Sequence, residues 1–351
     1  MRCNVLVAFA LAVLVGGCGS NHNGGGGGGG GSGGTGGGGS GGTGGDGGGG
    51  GQPGLTDGGV PIGAFYVTTG QYMVPAASET VMCSTIKLPT SVDVDVTKIQ
   101  ATLTTGGHHL IMYKVTDTTE SPTPTACDSV TNITTSVPLI IAQNTDSTLN
   151  LPTGVAYHFA AGQMVRLEVH YLNATSNALN VEGRVTMTPA AAGQTYQQAD
   201  IMFCGSVSQL SSLGIPPNAT TATLNPGFFA GNGSIDFTKI KLFGLTTHQH
   251  WTGKEATISK STSASSAGTL LYDNTDWSAA PLKTFDDNSL VTFGADEGIR
   301  WQCTYDTQDA SPRPITNVKF GESARLNEMC FLWAYYYPSA GRFIGETDCW
   351  Q

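Results

Sequence analysis

The chain is 351 residues long, and its 16 basic against 26 acidic side chains leave a formal net charge of −10. Charge this sparse, with no Lys/Arg cluster, argues against a surface built to neutralise nucleic-acid phosphates. No apolar run reaches the length needed to cross a bilayer, so membrane association is expected through an anchor only.

Residues 1–17, "MRCNVLVAFALAVLVGG", carry one positive charge at Arg2 and then an apolar run from Val5 to Val15. A run this short after a basic start reads as a signal peptide. Small residues lead directly into Cys18, an arrangement similar to a lipoprotein cleavage box, in which Cys18 becomes the lipidated N-terminus. An ordinary secretory signal with an incidental cysteine is the alternative. Both readings export the folded part, and the first expects a membrane-anchored bacterial lipoprotein, periplasmic or at the cell surface.

Residues 18–54 are almost pure Gly with Ser and Thr. Gly has no side chain to bury and much backbone entropy to lose, so this segment reads as a flexible tether outside any core. About three hundred residues follow, enough for one large or two medium domains. Apart from Cys3 and Cys18, the cysteines are Cys83, Cys127, Cys204, Cys303, Cys330 and Cys349. An even number in an exported chain implies disulfides, with about fifteen pairings open from the count alone. None forms a CxxC pair, which argues against a zinc ribbon or a thioredoxin-type site.

Beyond the tether, period-two alternation dominates. In "KIQATLT", Ile99, Ala101 and Leu103 share one face; in "QMVRLEVHYLN", Val165, Leu167, Val169 and Tyr171 oppose Arg166, Glu168 and His170. Gly, Pro, Asn and Asp clusters separate such runs, and no long segment has helical periodicity. The expected fold is all-β: two tandem antiparallel β-sandwiches, jelly-roll-like, over residues 55–192 and 193–351. Between them "TMTPAAAGQTYQQAD", Thr186 to Asp200, loses alternation and reads as a connector.

Five of the 7 histidines carry the functional signal; His22 lies in the tether and His158 has no evident partner. His248 and His250, in "GLTTHQHWTGK", stand at i and i+2, which on a strand puts both rings on one face. Such a pair is a recurrent metal-binding device, though two half-exposed histidines read the same way. His170 lies on the polar face of its strand beside Glu168, where a lone histidine is usually solvated. His108 and His109 are adjacent and should point to opposite faces. However, Gly106 and Gly107 before them can open a bulge that turns both rings toward one ion, with His170 as third ligand.

Together these blocks resemble the copper type II, ascorbate-dependent monooxygenases, the group of dopamine beta-monooxygenase and peptidylglycine alpha-hydroxylating monooxygenase. The landmarks run from about Thr80 to Trp350: "VMCSTIKLP", "GGHHLIMYKV", "VRLEVHYLNAT", "LTTHQHWTGK", "QCTYDTQD" and "LNEMCFLWAYYYP". The resemblance implies two copper ions. His108, His109 and His170 would hold the first, for electron transfer, and His248, His250 and Met329 the second, for O₂ activation, with a solvent gap between them. It also implies disulfides Cys83–Cys127, Cys204–Cys349 and Cys303–Cys330. Read alone, Met329 would be core, since it alternates with Phe331, Trp333 and Tyr335. A thioether favours Cu(I) and harder imidazoles serve both oxidation states, which suits that division of labour.

The activity so implied is insertion of one oxygen atom into a C–H bond of a small molecule, with O₂ and ascorbate, by a monomer. Glu168 reads either as a hydrogen-bond partner of the first site or as solvated; Phe331 and Trp333 read either as an apolar substrate pocket or as core. Where the peptide-hydroxylating members grip a carboxylate with arginine, this chain has Thr246, so a C-terminal glycine peptide is not the expected substrate. Two other readings remain: a non-catalytic copper-binding lipoprotein, and a zinc hydrolase on the three-histidine site, against which Met329 argues.

Overall fold

The structure, a computed structural model, describes residues 63–128, 136–212, 214–228, 235–340 and the backbone of 348–350. The signal peptide, Cys18, the tether and His22 lie outside the described residues. The described part is nearly all β, as expected, with one short helix at Val207–Ser212 and a 3₁₀ turn at Phe237–Lys239.

In the first half the main strands are β1 (Ser78–Lys87), β2 (Val94–Leu103), β3 (Gly107–Val115), β4 (Ser136–Ala142), β5 (Met164–Asn173) and β6 (Gly183–Pro189). A five-stranded sheet runs in the order Ser121–Ala126, β1, β5, β3, β4. Packed on it is a six-stranded sheet, ordered Phe65–Thr68, β6, β2, Val155–Phe159, Gln197–Gln198, with Asp146–Asn150 also on β2. Alternation builds this layer: Ile99, Ala101 and Leu103 are buried, while Gln100 and Thr102 are only half-buried. The layers approach closely at Gly183, where a Cβ would come 2.7 Å from Val169 and 2.8 Å from Leu110.

In the second half the main strands are β7 (Asp200–Gly205), β8 (Lys241–His248), β9 (Gly253–Ser261), β10 (Gly298–Tyr305) and β11 (Phe331–Tyr337). One sheet is ordered Lys283–Thr284, β8, β11, β7, Asp348–Trp350; the other is Ala222–Leu224, β10, β9, Thr269–Asn274, with Gly227–Phe228 on β10. The connector is shorter than its composition indicates. β6 runs to Pro189, and Gln197–Gln198 already pairs in parallel with Val155 and Ala156.

The apolar core does not stop at the connector. Phe331, Trp333, Tyr335 and Tyr337 on one face of β11, with Phe203 of β7, belong to the same buried cluster as the core of the first half. Leu332, Ala334 and Tyr336 on the other face of β11 fill the core of the second half. β3 and β5 are correspondingly buried along nearly their whole length, on both faces.

Cys83–Cys127 and Cys303–Cys330 are bonded, as the resemblance implied. Cys204 is also disulfide-bonded and lies opposite Cys349 in the β7 pairing, but the Cys349 side chain is outside the described residues. Cys303 and Cys330 close a loop of sequence separation 27 and pin the strand that follows Met329. Chain-entropy scaling gives such a closure about 3.5 kcal/mol. The double variant Cys303→Ala/Cys330→Ala should lose roughly that much in denaturant unfolding, and an unchanged midpoint would show that the staple is idle.

Candidate metal centre

Gly106 takes φ +91°, a left-handed conformation costly to residues with a Cβ. After it, β3 pairs with β5 so that His109 faces His170 while Gly107 faces Tyr171, leaving His108 as the extra residue. This is the bulge expected from the glycine pair. The adjacent rings therefore sit with centroids 5.3 Å apart, and 5.2 and 5.1 Å from the ring of His170.

His248 is the last residue of β8, opposite Phe331 of β11. His250 lies just past the strand end, in a turn closed by the Gly253 N–H donating to its carbonyl at 2.9 Å. A Cβ on Gly253 would come 3.0 Å from that carbonyl and 2.8 Å from Gln249 Cβ, so glycine permits the turn. Gln249 points away and donates to Thr304 O, at 3.2 Å. The i, i+2 convergence holds although only one histidine is in the strand: the two Nε2 atoms are 3.2 Å apart.

The expected solvent gap between the two ligand sets is not what the structure has. The His108 ring lies 4.9 Å from His248 and 5.4 Å from His250, and His109 lies 5.1 Å from His248. All five imidazoles form one nest, and none is more than 2% exposed. The reason is the face bearing Glu168 and His170: polar in sequence, it is covered by the second sandwich instead of by water.

The outer nitrogens of four rings are committed. His109 Nε2 donates to Glu168 Oε1 at 3.3 Å, and His170 Nε2 donates to Glu79 Oε1 at 2.8 Å. His248 Nδ1 donates to Gln143 Oε1 at 2.6 Å, and His250 Nδ1 to the Asn327 carbonyl at 3.1 Å. All four partners are acceptors there, so each ring's proton is on that outer nitrogen. The inner nitrogens carry lone pairs: Nδ1 of His109 and His170, Nε2 of His248 and His250. His109 Nδ1, His170 Nδ1 and both nitrogens of His108 are buried with no hydrogen-bond partner among the described residues.

Two inward lone pairs 3.2 Å apart, at His248 and His250, repel unless a cation lies against them. Burial, with the neighbouring imidazoles, drives His108 and His248 well below the usual histidine range and His250 down to about 3. Burial also lowers His109. Neutral rings cannot supply the missing charge, so the nest fits a metal ion with a preference for nitrogen donors. Donor atoms of His108, His109 and His248 all lie within 4.8 Å of one another.

Residues 197–347 match a family model, that of the copper type II ascorbate-dependent monooxygenase C-terminal domain. The match is to one domain and spans less than half of the chain, so it shows residues 197–347 to be similar to the C-terminal domain of these monooxygenases. The match covers the second sandwich, and residues before 197 lie outside it. No curated protein matches the chain. Among solved structures it is similar to the major capsid protein P2 from Bacteriophage PM2, at 6% identity over 76% of this chain and 96% of that one, with TM-score 0.32. It is also similar to a structure of infectious bursal disease virus Gt strain, at 10% identity over 81% and 74% of the two chains, with TM-score 0.14.

The other residues singled out from sequence take definite places. Glu168 is fully buried and meets His109 and, through the other oxygen, the Tyr113 hydroxyl at 3.0 Å. Met329 is buried two residues before β11, in the same apolar cluster as Phe331, Trp333 and Tyr335, and directly after residues that hold His250. The Phe331 ring lies parallel to that of His248 with centroids 6.4 Å apart, whereas Trp333 stacks on Phe203 at 4.2 Å, inside the core. Thr246 is buried and accepts from Gln143, at 3.2 Å. His158, set aside above, binds Asp95 on the surface at 3.1 Å.

Three residues of the site were not foreseen. Glu79 carries the His170 proton on one oxygen, and also accepts from Ser323 Oγ at 2.8 Å and Ala324 N at 2.6 Å in the second sandwich. Burial would raise its carboxyl, but the hydrogen bonds from His170, Ser323 and Ala324 outweigh burial and lower it. Glu328 accepts the backbone N–H of His250 at 3.0 Å; burial pushes its carboxyl up to about 7 against the pull of its donors. Gln143 holds His248. Glu328 had a signal, a charge directly before Met329 in an apolar run. Glu79 and Gln143 had none, since their partners lie 91 and 105 positions away.

Proposed function

We propose that the chain hydroxylates a C–H bond of a small organic molecule with O₂ and ascorbate, or a similar one-electron reductant. In this reading His108, His109 and His170 hold one copper, and His248, His250 and Met329 a second. The observation that carries it is the pair of inward lone pairs on His248 and His250, 3.2 Å apart with both outer nitrogens committed. Copper, when bound, would supply the one-electron chemistry that lets triplet O₂ react with a C–H bond, which redox-inert zinc would not. In the net reaction one oxygen atom enters the substrate as hydroxyl and the other leaves as water, with two electrons from the reductant and two protons from solvent.

The chain's own part is to hold donors ready. Glu79, Glu168, Gln143 and the Asn327 carbonyl keep the outer ring protons in place, so no ring must change tautomer to bind. The covering sandwich keeps water off the nest, which strengthens each of these contacts. We also place the folded body outside the cytoplasm, held by a lipid at Cys18; the disulfides of the described residues support an oxidising compartment.

The test is ascorbate-driven oxygen uptake coupled to hydroxylation across a panel of small hydrophobic and aromatic amines. Met329→Ile should keep the three-histidine copper and lose oxygen insertion at least ~100-fold, more than loss of an outer hydrogen-bond partner costs. Parent-rate hydroxylation by that variant would remove Met329 from the site. The depth of burial of the five rings favours one other reading, a copper-holding protein without turnover. Tight copper binding with no coupled product from any substrate would select it.

A further inference from the structure

Gln143 directly follows β4 in the first sandwich and is 2% exposed. Its carboxamide nitrogen donates to the Thr247 carbonyl at 2.7 Å and to Thr246 Oγ1 at 3.2 Å. A backbone carbonyl can only accept, so these contacts settle which end of the amide is which. Oε1 is left facing His248 Nδ1 at 2.6 Å. An amide oxygen also only accepts, so the ring proton must sit on Nδ1 and the lone pair on Nε2.

We propose that Gln143 is a positioning residue, selecting from the opposite sandwich the His248 tautomer that presents Nε2 beside His250. A histidine without that partner distributes its proton over both nitrogens, and a ring protonated at Nε2 cannot bind through it. The ligand pair is therefore complete only while the sandwiches are docked and Gln143 is seated on Thr246 and Thr247. The functional weight of this rests on the copper reading above, but the tautomer is a property of the metal-free chain.

The experiment is ¹⁵N NMR of the His248 ring nitrogens in the metal-free full chain, with Cu(I) competition titration of the same samples. Gln143→Leu and Gln143→Asn should give a mixed tautomer and weaken Cu(I) binding ~10–100-fold, the usual loss for an outer partner of a ligand histidine. In Gln143→Glu, a protonated carboxyl donates to Thr247 O and still accepts from His248. That variant should keep the Nδ1–H form and stay within about threefold of the parent affinity, far inside the loss expected for a missing partner. Thermal unfolding identifies any variant that is not folded; if the leucine variant is not, the asparagine and glutamate pair decides. An Nδ1–H tautomer with parent affinity in the folded leucine and asparagine variants overturns the proposal. A tautomer that responds as expected in a chain that binds no copper sustains it and removes the copper reading instead.

Discussion

His108→Ala is expected to cost the protein one tightly held copper and at least ~100-fold in ascorbate-driven oxygen insertion, beyond what loss of an outer partner costs. His108 is the residue that the bulge between β3 and β5 adds. Its ring touches those of His109, His170, His248 and His250, and its edge meets Trp277 with centroids 5.6 Å apart. Neither of its nitrogens has a partner among the described residues, although both are buried. A buried imidazole left unpaired costs free energy, so its place is explained by what it binds and not by stability. Removing it should leave the fold intact or slightly firmer. Metal content after dialysis, together with oxygen uptake, checks this. Full copper loading at the parent rate would mean that the central ring of the nest is no ligand.

Glu328→Leu should be the most destabilising single change at the site. One carboxylate oxygen accepts the N–H groups of His250 and Met329 at 3.0 and 3.2 Å; the other accepts the N–H and hydroxyl of Thr252, both at 2.7 Å. Leucine leaves these four donors buried without an acceptor, and each such orphan costs ~1–3 kcal/mol. With partial relaxation we expect a loss of about 4 kcal/mol, a large part of the ~5–15 kcal/mol that holds an ordinary domain together. Glu328→Gln keeps one acceptor oxygen and sets its amide N–H groups against the other donors, so about half that loss is expected. Urea unfolding of the metal-free chain measures both. A leucine variant within about 1 kcal/mol of the parent would show that the donors find other acceptors.

How far the site was legible depended on where each residue's partner lies along the chain. The bulge could be read because its cause, Gly106 and Gly107, adjoins its effect. The H-x-H convergence could be read because strand period needs only two positions. The all-β fold was written in alternations such as that of Ile99, Ala101 and Leu103. The match over the second sandwich was legible in the local blocks around His248, Cys303 and Met329.

What failed was everything decided by the second sandwich closing on the first. His170 and Glu168 look like a wet sheet face because strand periodicity reports polarity, not what covers it. The gap expected between the ligand sets closes for the same reason. Gln143 and Glu79 act on histidines more than 90 residues away. A polar residue after an apolar strand is unremarkable until the fold brings its partner to it.

One consequence lies in β11. Its odd-numbered side chains complete one core and its even-numbered ones the other. Stripping either half from this strand exposes a row of large aromatic and aliphatic groups that the remaining half has no means to cover. Neither half is therefore an autonomous cooperative unit. Truncations that separate them near the connector should yield insoluble fragments, not working modules.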